Sequence, residues 1–261
     1  MKKTFNYGTA EEQFAVLNLP DKKFDQKLPV VISIHGGFWK DKYDLGQFTP
    51  LDQQLVDAGI ATWNIEYRRV GKSAGGYPET FLDVTAAINY LAKIAVDYSL
   101  DLGRVVVIGH SAGGHLALWA ASRYQHTTDA LGEVIKIKFA GVVSMAGVTD
   151  LSAMWLDQQG SDMADTVPDF IGGTPEETPV RYHDASPIDQ LPLGVKTVLI
   201  HGTADDRVSV ELSQQYYQKA KDLGDTVDLI EFPNVGHFEL IDSKNVAWQK
   251  VQQAVEDLLT K

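Results

Sequence analysis

The sequence contains no cysteine. That excludes disulfides, a thiol nucleophile and thiolate metal sites, and it fits a reducing compartment. Cationic residues are in short supply too: 23 Lys and Arg face 35 Asp and Glu, for a net charge of −12. Nucleic-acid binding needs a basic face to meet phosphates, so this balance argues against it. No apolar run reaches the length of a membrane span. The opening stretch MKKTFNYGTAEEQF has two lysines with no apolar run behind them, so no signal peptide is expected. Repeats, low-complexity tracts and linkers are also missing. These absences predict an acidic cytoplasmic protein that meets neither nucleic acid nor membrane. With 261 residues and 44% hydrophobic content, the chain can build a substantial core, and a single domain over 1–261 is expected.

What is present alternates between strand and helix patterns. Strands are expected over Gln13–Leu19, Leu28–His35, Ile60–Tyr67, 104–109, Phe139–Met145, Lys196–His201 and Val227–Phe232. Helices are expected over Gly46–Ala58, Tyr77–Asp97, about 209–223 and about 243–260, with a further one from Leu116. This rhythm predicts an α/β fold: a mostly parallel, twisted sheet of about eight strands with helices on both faces. The stretch 148–193 breaks the rhythm. It is long, carries five prolines, and includes Met154, Trp155 and Phe170. A long irregular insertion of this kind reads as a lid or cap, or else as a surface excursion packing its own aromatics.

The segment RVVVIGHSAGGHLALWAAS, residues 104–122, carries the chemistry. A β-branched buried run stops at Gly-His-Ser-Ala-Gly and an Ala/Leu-rich helix begins. Strand, Gly-x-Ser-x-Gly and helix in that order form a nucleophile elbow, with Ser111 at its tip. A serine needs a base, and the base needs an orienting group. In a parallel sheet those partners lie just beyond the carboxyl ends of later strands. VKTVLIHG runs into TADDRVSV, which offers Asp205 and Asp206, and Asp205 is nearer the strand end. TVDLIEF runs into PNVGHFEL, which offers His237. His110 and His115 flank the elbow and cannot easily reach back to Ser111. His126, His183 and His201 read as surface or structural histidines. Stabilising an oxyanion requires amide donors. Ala112, after the nucleophile, is one, and Gly37 and Phe38, in the loop after PVVISIHGG, are the others expected.

The segments SIHGGFW, GHSAGGHLA, VLIHGTADDRV and GHFEL, taken together, resemble the α/β-hydrolase superfamily of serine esterases, in the branch with a His-Gly-Gly oxyanion loop. The resemblance covers nearly the whole chain. It implies a Ser111, Asp205 and His237 triad and no cofactor. HGGFW with GHSAGGHL is similar to kynurenine formamidases, and also to acetyl-esterase and prolyl-oligopeptidase-type catalytic domains. Lipolytic relatives carry a third glycine where this chain has Phe38, which weakens a lipase assignment.

Other signals fail. Gly71-Lys72-Ser73 hints at a phosphate loop, but Glu66 occupies the place of its required first glycine. No dinucleotide fingerprint follows the first buried strand. Asp205, Asp206, His201 and His237 could be read as metal ligands, but a triad explains them better, and no metal is expected. Arg68 and Arg69 could touch an acidic substrate or form a surface pair. Trp39, Trp155 and Phe170 could wall an acyl or aryl pocket or simply pack the core. The expectation is a short-acyl carboxylesterase acting on a small-molecule ester through an acyl-enzyme. The alternatives are an arylformamidase-type amide hydrolase, or a hydrolase fold that binds without chemistry.

Overall fold

The apolar runs of the sequence become strands of one sheet. In the computed structural model, residues 1–21, 26–125 and 131–260 are described. The chain opens with β1 (Lys2–Asn6), β2 (Phe14–Asn18) and β3 (Leu28–Ile34), then α1 (Thr49–Asp57) and β4 (Ala61–Ile65). Next come α2 (Glu79–Ile94), β5 (Leu100–His110), α3 (Ala112–Ser122) and β6 (Gly141–Met145). The insertion holds α4 (Leu151–Asp157), α5 (Thr166–Ile171) and α6 (Pro179–Ala185). The chain ends with β7 (Thr197–Gly202), α7 (Val210–Asp222), β8 (Val227–Phe232) and α8 (Val246–Leu259).

The strand order is β1-β2-β4-β3-β5-β6-β7-β8. The β1–β2 and β2–β4 pairs are antiparallel, and every pair from β4 to β8 is parallel. The central strands are buried on both faces, which is why they read as continuous Val and Ile runs. On one face α2, α3 and α7 pack through Phe81, Ile88, Trp119 and Tyr216. On the other, α1 and α8 pack through Leu51, Leu55, Trp248 and Val255. Helix α3 is buried along its whole length between sheet and insertion, so its pattern is apolar all round rather than striped.

Two elements depart from expectation. Strand β1 was not foreseen: Lys-Lys-Thr-Phe-Asn is an exposed edge with a single apolar residue, so it carries no alternation to read. The irregular insertion turns out to hold three helices of six or seven residues each. Helices that short span fewer than two turns and leave almost no 3.6-residue periodicity in sequence.

Candidate active site

Ser111, Asp205, His237 and the loop of Gly37 and Phe38 all lie beyond the carboxyl ends of strands of the parallel sheet. Ser111 follows β5 with φ 57° and ψ −123°, a conformation that L-residues resist and that the elbow imposes. Its amide donates to the Met145 carbonyl at the end of β6 (2.8 Å), and its own carbonyl accepts from His115 (3.0 Å) in the first turn of α3. Strand, turn and helix thus clamp the serine from both sides.

The loop after β3 lies directly against this turn. A Cβ on Gly36 would stand 2.7 Å from the His110 carbonyl oxygen and 3.1 Å from the Ser111 Cβ, so only glycine permits the approach. Gly37, Phe38 and Trp39 then run through φ of 110°, 57° and 56°. Three successive left-handed residues turn the main chain over. The Gly36 amide is taken by Gln47 Oε1 at 3.1 Å. The amides of Gly37, Phe38 and Ala112 have no acceptor among the described residues. They are free donors in the two segments that meet at Ser111, and the N-terminus of α3 adds its partial positive charge there.

Asp205 and His237 meet across the loops after β7 and β8. His237 Nδ1 donates to Asp205 Oδ2 at 2.7 Å, both side chains being essentially buried. Asp205 Oδ1 accepts from the amides of Arg207 (2.8 Å) and Val208 (2.9 Å). His201 Nε2 lies 3.3 Å from Asp205 Oδ2 and 2.9 Å from the Val208 carbonyl, while Ser213 Oγ donates to its Nδ1 at 2.7 Å. Burial pushes the Asp205 carboxyl up. The hydrogen bonds from His201, His237 and Val208 outweigh it and hold the group well below the usual carboxylate range. Asp206 points away, 72% exposed beside Arg207 at 3.5 Å. With Nδ1–H committed to a carboxylate, Nε2 is the His237 nitrogen left to accept a proton. His237 is also packed against the elbow, its ring 4.4 Å from that of His110.

The remaining histidines are accounted for separately. His115 is fully buried, accepts from Trp39 Nε1 at 3.2 Å and donates to the Ala185 carbonyl at 2.9 Å; burial pushes its pKa down to about 4. His183 is exposed, and His126 lies outside the described residues.

The aromatics expected to wall a substrate pocket are placed otherwise. Trp39 and Phe170 are fully buried and stacked on each other at 4.4 Å and 7°. Trp155 is half-buried against the same core. None of the three lines the clefts at the site. The Trp39–Phe170 stack fastens the insertion to the loop after β3, and Trp155 packs on the core beside it. A cleft of about 310 Å³ opens instead between Phe38, Tyr43, Met163, Arg207 and Phe238. It shares Met163 and Arg207 with a neighbouring cleft of about 680 Å³ running toward Met154 and Gln158. Among the described residues no cluster of three or more His, Asp or Glu side chains is arranged to hold a metal ion.

Sequence reasoning missed the group that holds the oxyanion loop. Glu66, just beyond β4, accepts from His35 Nε2 at 2.8 Å, from the amides of Leu45 and Tyr67 at 3.0 Å, and pairs with Arg69 at 3.3 Å. Tyr67 donates its hydroxyl to the His35 carbonyl at 2.8 Å and stacks on the His35 ring. Burial pushes Glu66 up, and His35, Arg69 and the Leu45 amide more than compensate, leaving it below its ordinary value. A carboxylate at the carboxyl end of a buried strand was the available signal.

A serine on a strained strand-to-helix turn, with an acid after β7 and a histidine after β8 of this sheet, defines the α/β-hydrolase fold. The chain belongs to the BD-FAE family, whose model matches residues 17–220. The probable carboxylic ester hydrolase LipM of Mycobacterium tuberculosis is 25% identical over 98% of this chain, and esterase LipQ of the same organism 26% over 97%. This chain spans only 59% and 60% of their respective lengths. A truncated carbohydrate esterase from gut microbiota superposes with a TM-score of 0.84 at 23% identity, covering all of this chain and 97% of that one. Among the described residues no helix is long and apolar enough to cross a membrane.

Proposed function

We propose that the protein is a serine hydrolase that cleaves small carboxylic esters. In this reading Ser111 attacks the ester carbonyl while His237 Nε2 takes its proton. Asp205 holds the imidazole in the Nδ1–H tautomer and stabilises the imidazolium that forms. The amides of Ala112, Gly37 and Phe38 receive the oxyanion, each donor contributing on the order of 100-fold or more to kcat. His237 then protonates the leaving alcohol, and a water deprotonated by the same nitrogen releases the acid from Ser111. No cofactor enters the sequence of steps.

The observation that carries this reading is the 2.7 Å Asp205–His237 bond, formed beside an elbow serine and three unengaged amides. The names of LipM and LipQ support ester rather than amide chemistry. The aromatic and thioether lining of the cleft at Phe38, Met163 and Phe238 suits a small apolar acyl group. We place the chain in the cytoplasm as one working domain, with 148–193 forming the cap of the site. The lack of cysteine and the packing of α5 on the oxyanion loop support these placements.

The test compares kcat/KM for p-nitrophenyl acetate and for N-formylkynurenine, with Ser111→Ala as the blank. The ester is expected to be the better substrate, and Ser111→Ala to lose about three or more orders of magnitude on it. A clear preference for the formyl amide would replace the esterase by an arylformamidase. Full activity in Ser111→Ala would overturn the nucleophile itself.

A further inference from the structure

His110 is a buried titratable residue that the reaction as written leaves unused. It immediately precedes Ser111 and is 1% exposed. Its Nε2 lies 2.9 Å from the main-chain carbonyl oxygen of His237, a contact between residues 127 positions apart. A carbonyl oxygen can only accept, so the Nε2 proton is the donor and Nδ1 is the bare nitrogen. That Nδ1 is buried with no hydrogen-bond partner.

The bond comes with one unpaired buried acceptor, Nδ1. A phenyl or aliphatic group of similar volume would remove that orphan, but it would also take the side-chain donor from the buried His237 carbonyl. What the imidazole supplies that they cannot is a donor reaching the backbone of the residue that acts as base. The other ties of the loop around His237 run to the end of β7 and within the loop itself: Thr203 donates to the Phe232 carbonyl, Ala204 to the Val235 carbonyl and Asn234 to Thr203 Oγ1. The Asp205 bond holds the His237 ring through Nδ1, and on its C-terminal side His237 caps the short 3-10 turn Phe238–Ile241, whose Leu240 is buried; none of these contacts reaches the nucleophile elbow.

We propose that His110 is a positioning residue, which locks the backbone of His237 to the nucleophile elbow through its Nε2–H bond to the His237 carbonyl. The inference rests on the reading of Ser111 and His237 as nucleophile and base. One side chain adjoining the nucleophile in sequence then sets the distance at which the base sits. Burial, with the neighbouring His237 as a further cause, pushes the His110 pKa down to about 3, so the ring stays neutral and keeps its donor across the working range. A neutral ring also avoids setting a second cation against His237 when it becomes charged during acylation.

Two substitutions separate positioning from packing. His110→Phe keeps a ring against His237 and removes the donor. His110→Gln places an amide nitrogen at about the reach of Nε2 and restores it. On p-nitrophenyl acetate, His110→Phe is expected to lower kcat on the order of 100-fold, as for a base displaced by about 1 Å, with KM little changed. His110→Gln should recover most of that loss although its melting temperature falls at least as far. Unchanged kcat in His110→Phe, or an equal loss in both variants, overturns the proposal. If His110→Phe does not fold, imidazole nitrogen NMR of the unaltered protein decides: a neutral His110 protonated on Nε2 is expected, and protonation on Nδ1 overturns it. An inactive Ser111→Ala beside a fully active His110→Phe would sink this inference while leaving the triad standing.

Discussion

At the scale of single residues, the two aspartates after β7 differ in sequence by one position and in structure by everything that matters to an acid. Asp205 is turned inward, where two imidazoles and two amides surround it; Asp206 stands in solvent. The proposed chemistry needs the inward one as an obligate acceptor. Asp205→Asn would present an NH₂ that can face His237 Nδ1 and so favour the wrong tautomer. Its kcat/KM should fall about 10³- to 10⁴-fold. Asp206→Asn, a surface change, should stay within about 2-fold. Steady-state kinetics on one ester decides, and equal losses in the two variants would contradict the assignment. The same contrast shows why Asp205 over Asp206 was only partly legible in TADDRV. Both follow a strand end, and which carboxylate turns inward depends on the loop after β8 that arrives 32 residues later.

At the scale of elements, the insertion is held by aromatic stacking rather than by regular structure of its own. Its helices α4, α5 and α6 are too short to be stable alone. Phe170 from α5 stacks on Trp39 and packs on Phe81 of α2, and the His115 to Ala185 bond ties α3 to the end of α6. Phe170→Ala should therefore cost about 3–5 kcal/mol. The loss should be felt locally first: hydrogen exchange over 166–190 should accelerate more than over β3, β5 and β6. Uniform acceleration through the sheet would show that the insertion is not a separate unit held at this point. The elbow and the oxyanion loop were readable in sequence because close backbone approach demands glycine at fixed spacings. The helices of the insertion were not, because their stability comes from contacts with distant elements.

At the scale of the molecule, three buried groups give stability a pH dependence with two opposing limbs. Burial pushes His110 down to about 3 and His115 to about 4, from an ordinary value of 6.5. Below pH 6.5 the unfolded chain takes up protons that the folded chain refuses, so stability falls as pH drops toward 4. Asp52, on the opposite side of the sheet from α3, behaves in reverse. Burial pushes it up from 3.8 to about 7, and hydrogen bonds from Ser33 Oγ and Asn64 Nδ2, each 2.7 Å, only partly offset that. Its contribution is fully present below pH 3.8 and is lost progressively from there until pH 7, above which no more is lost. Asp52→Asn, which keeps the hydrogen-bonding shape without the charge, should remove this loss, so its melting temperature should gain on that of the unaltered protein from pH 4 to 7 and hold a constant offset above pH 7. The acid limb should remain. Parallel melting-temperature profiles for the two proteins across pH 4 to 7 would exclude Asp52 as the source.

The sequence by itself determined the β-α order, the buried character of the central strands and the strand-turn-helix geometry at Ser111, because each depends on residues close together in the chain. It also placed candidate acid and base at later strand ends, because a parallel sheet gathers those ends on one side. Only the tertiary structure decided which aspartate faces His237, and that Glu66 braces the oxyanion loop. The same holds for Trp39 and Phe170, which pack on each other rather than on a ligand, and for His110, which reaches the main chain of His237. Each of these is a pairing of residues far apart in sequence, and no local pattern encodes a partner that arrives only when the sheet has assembled.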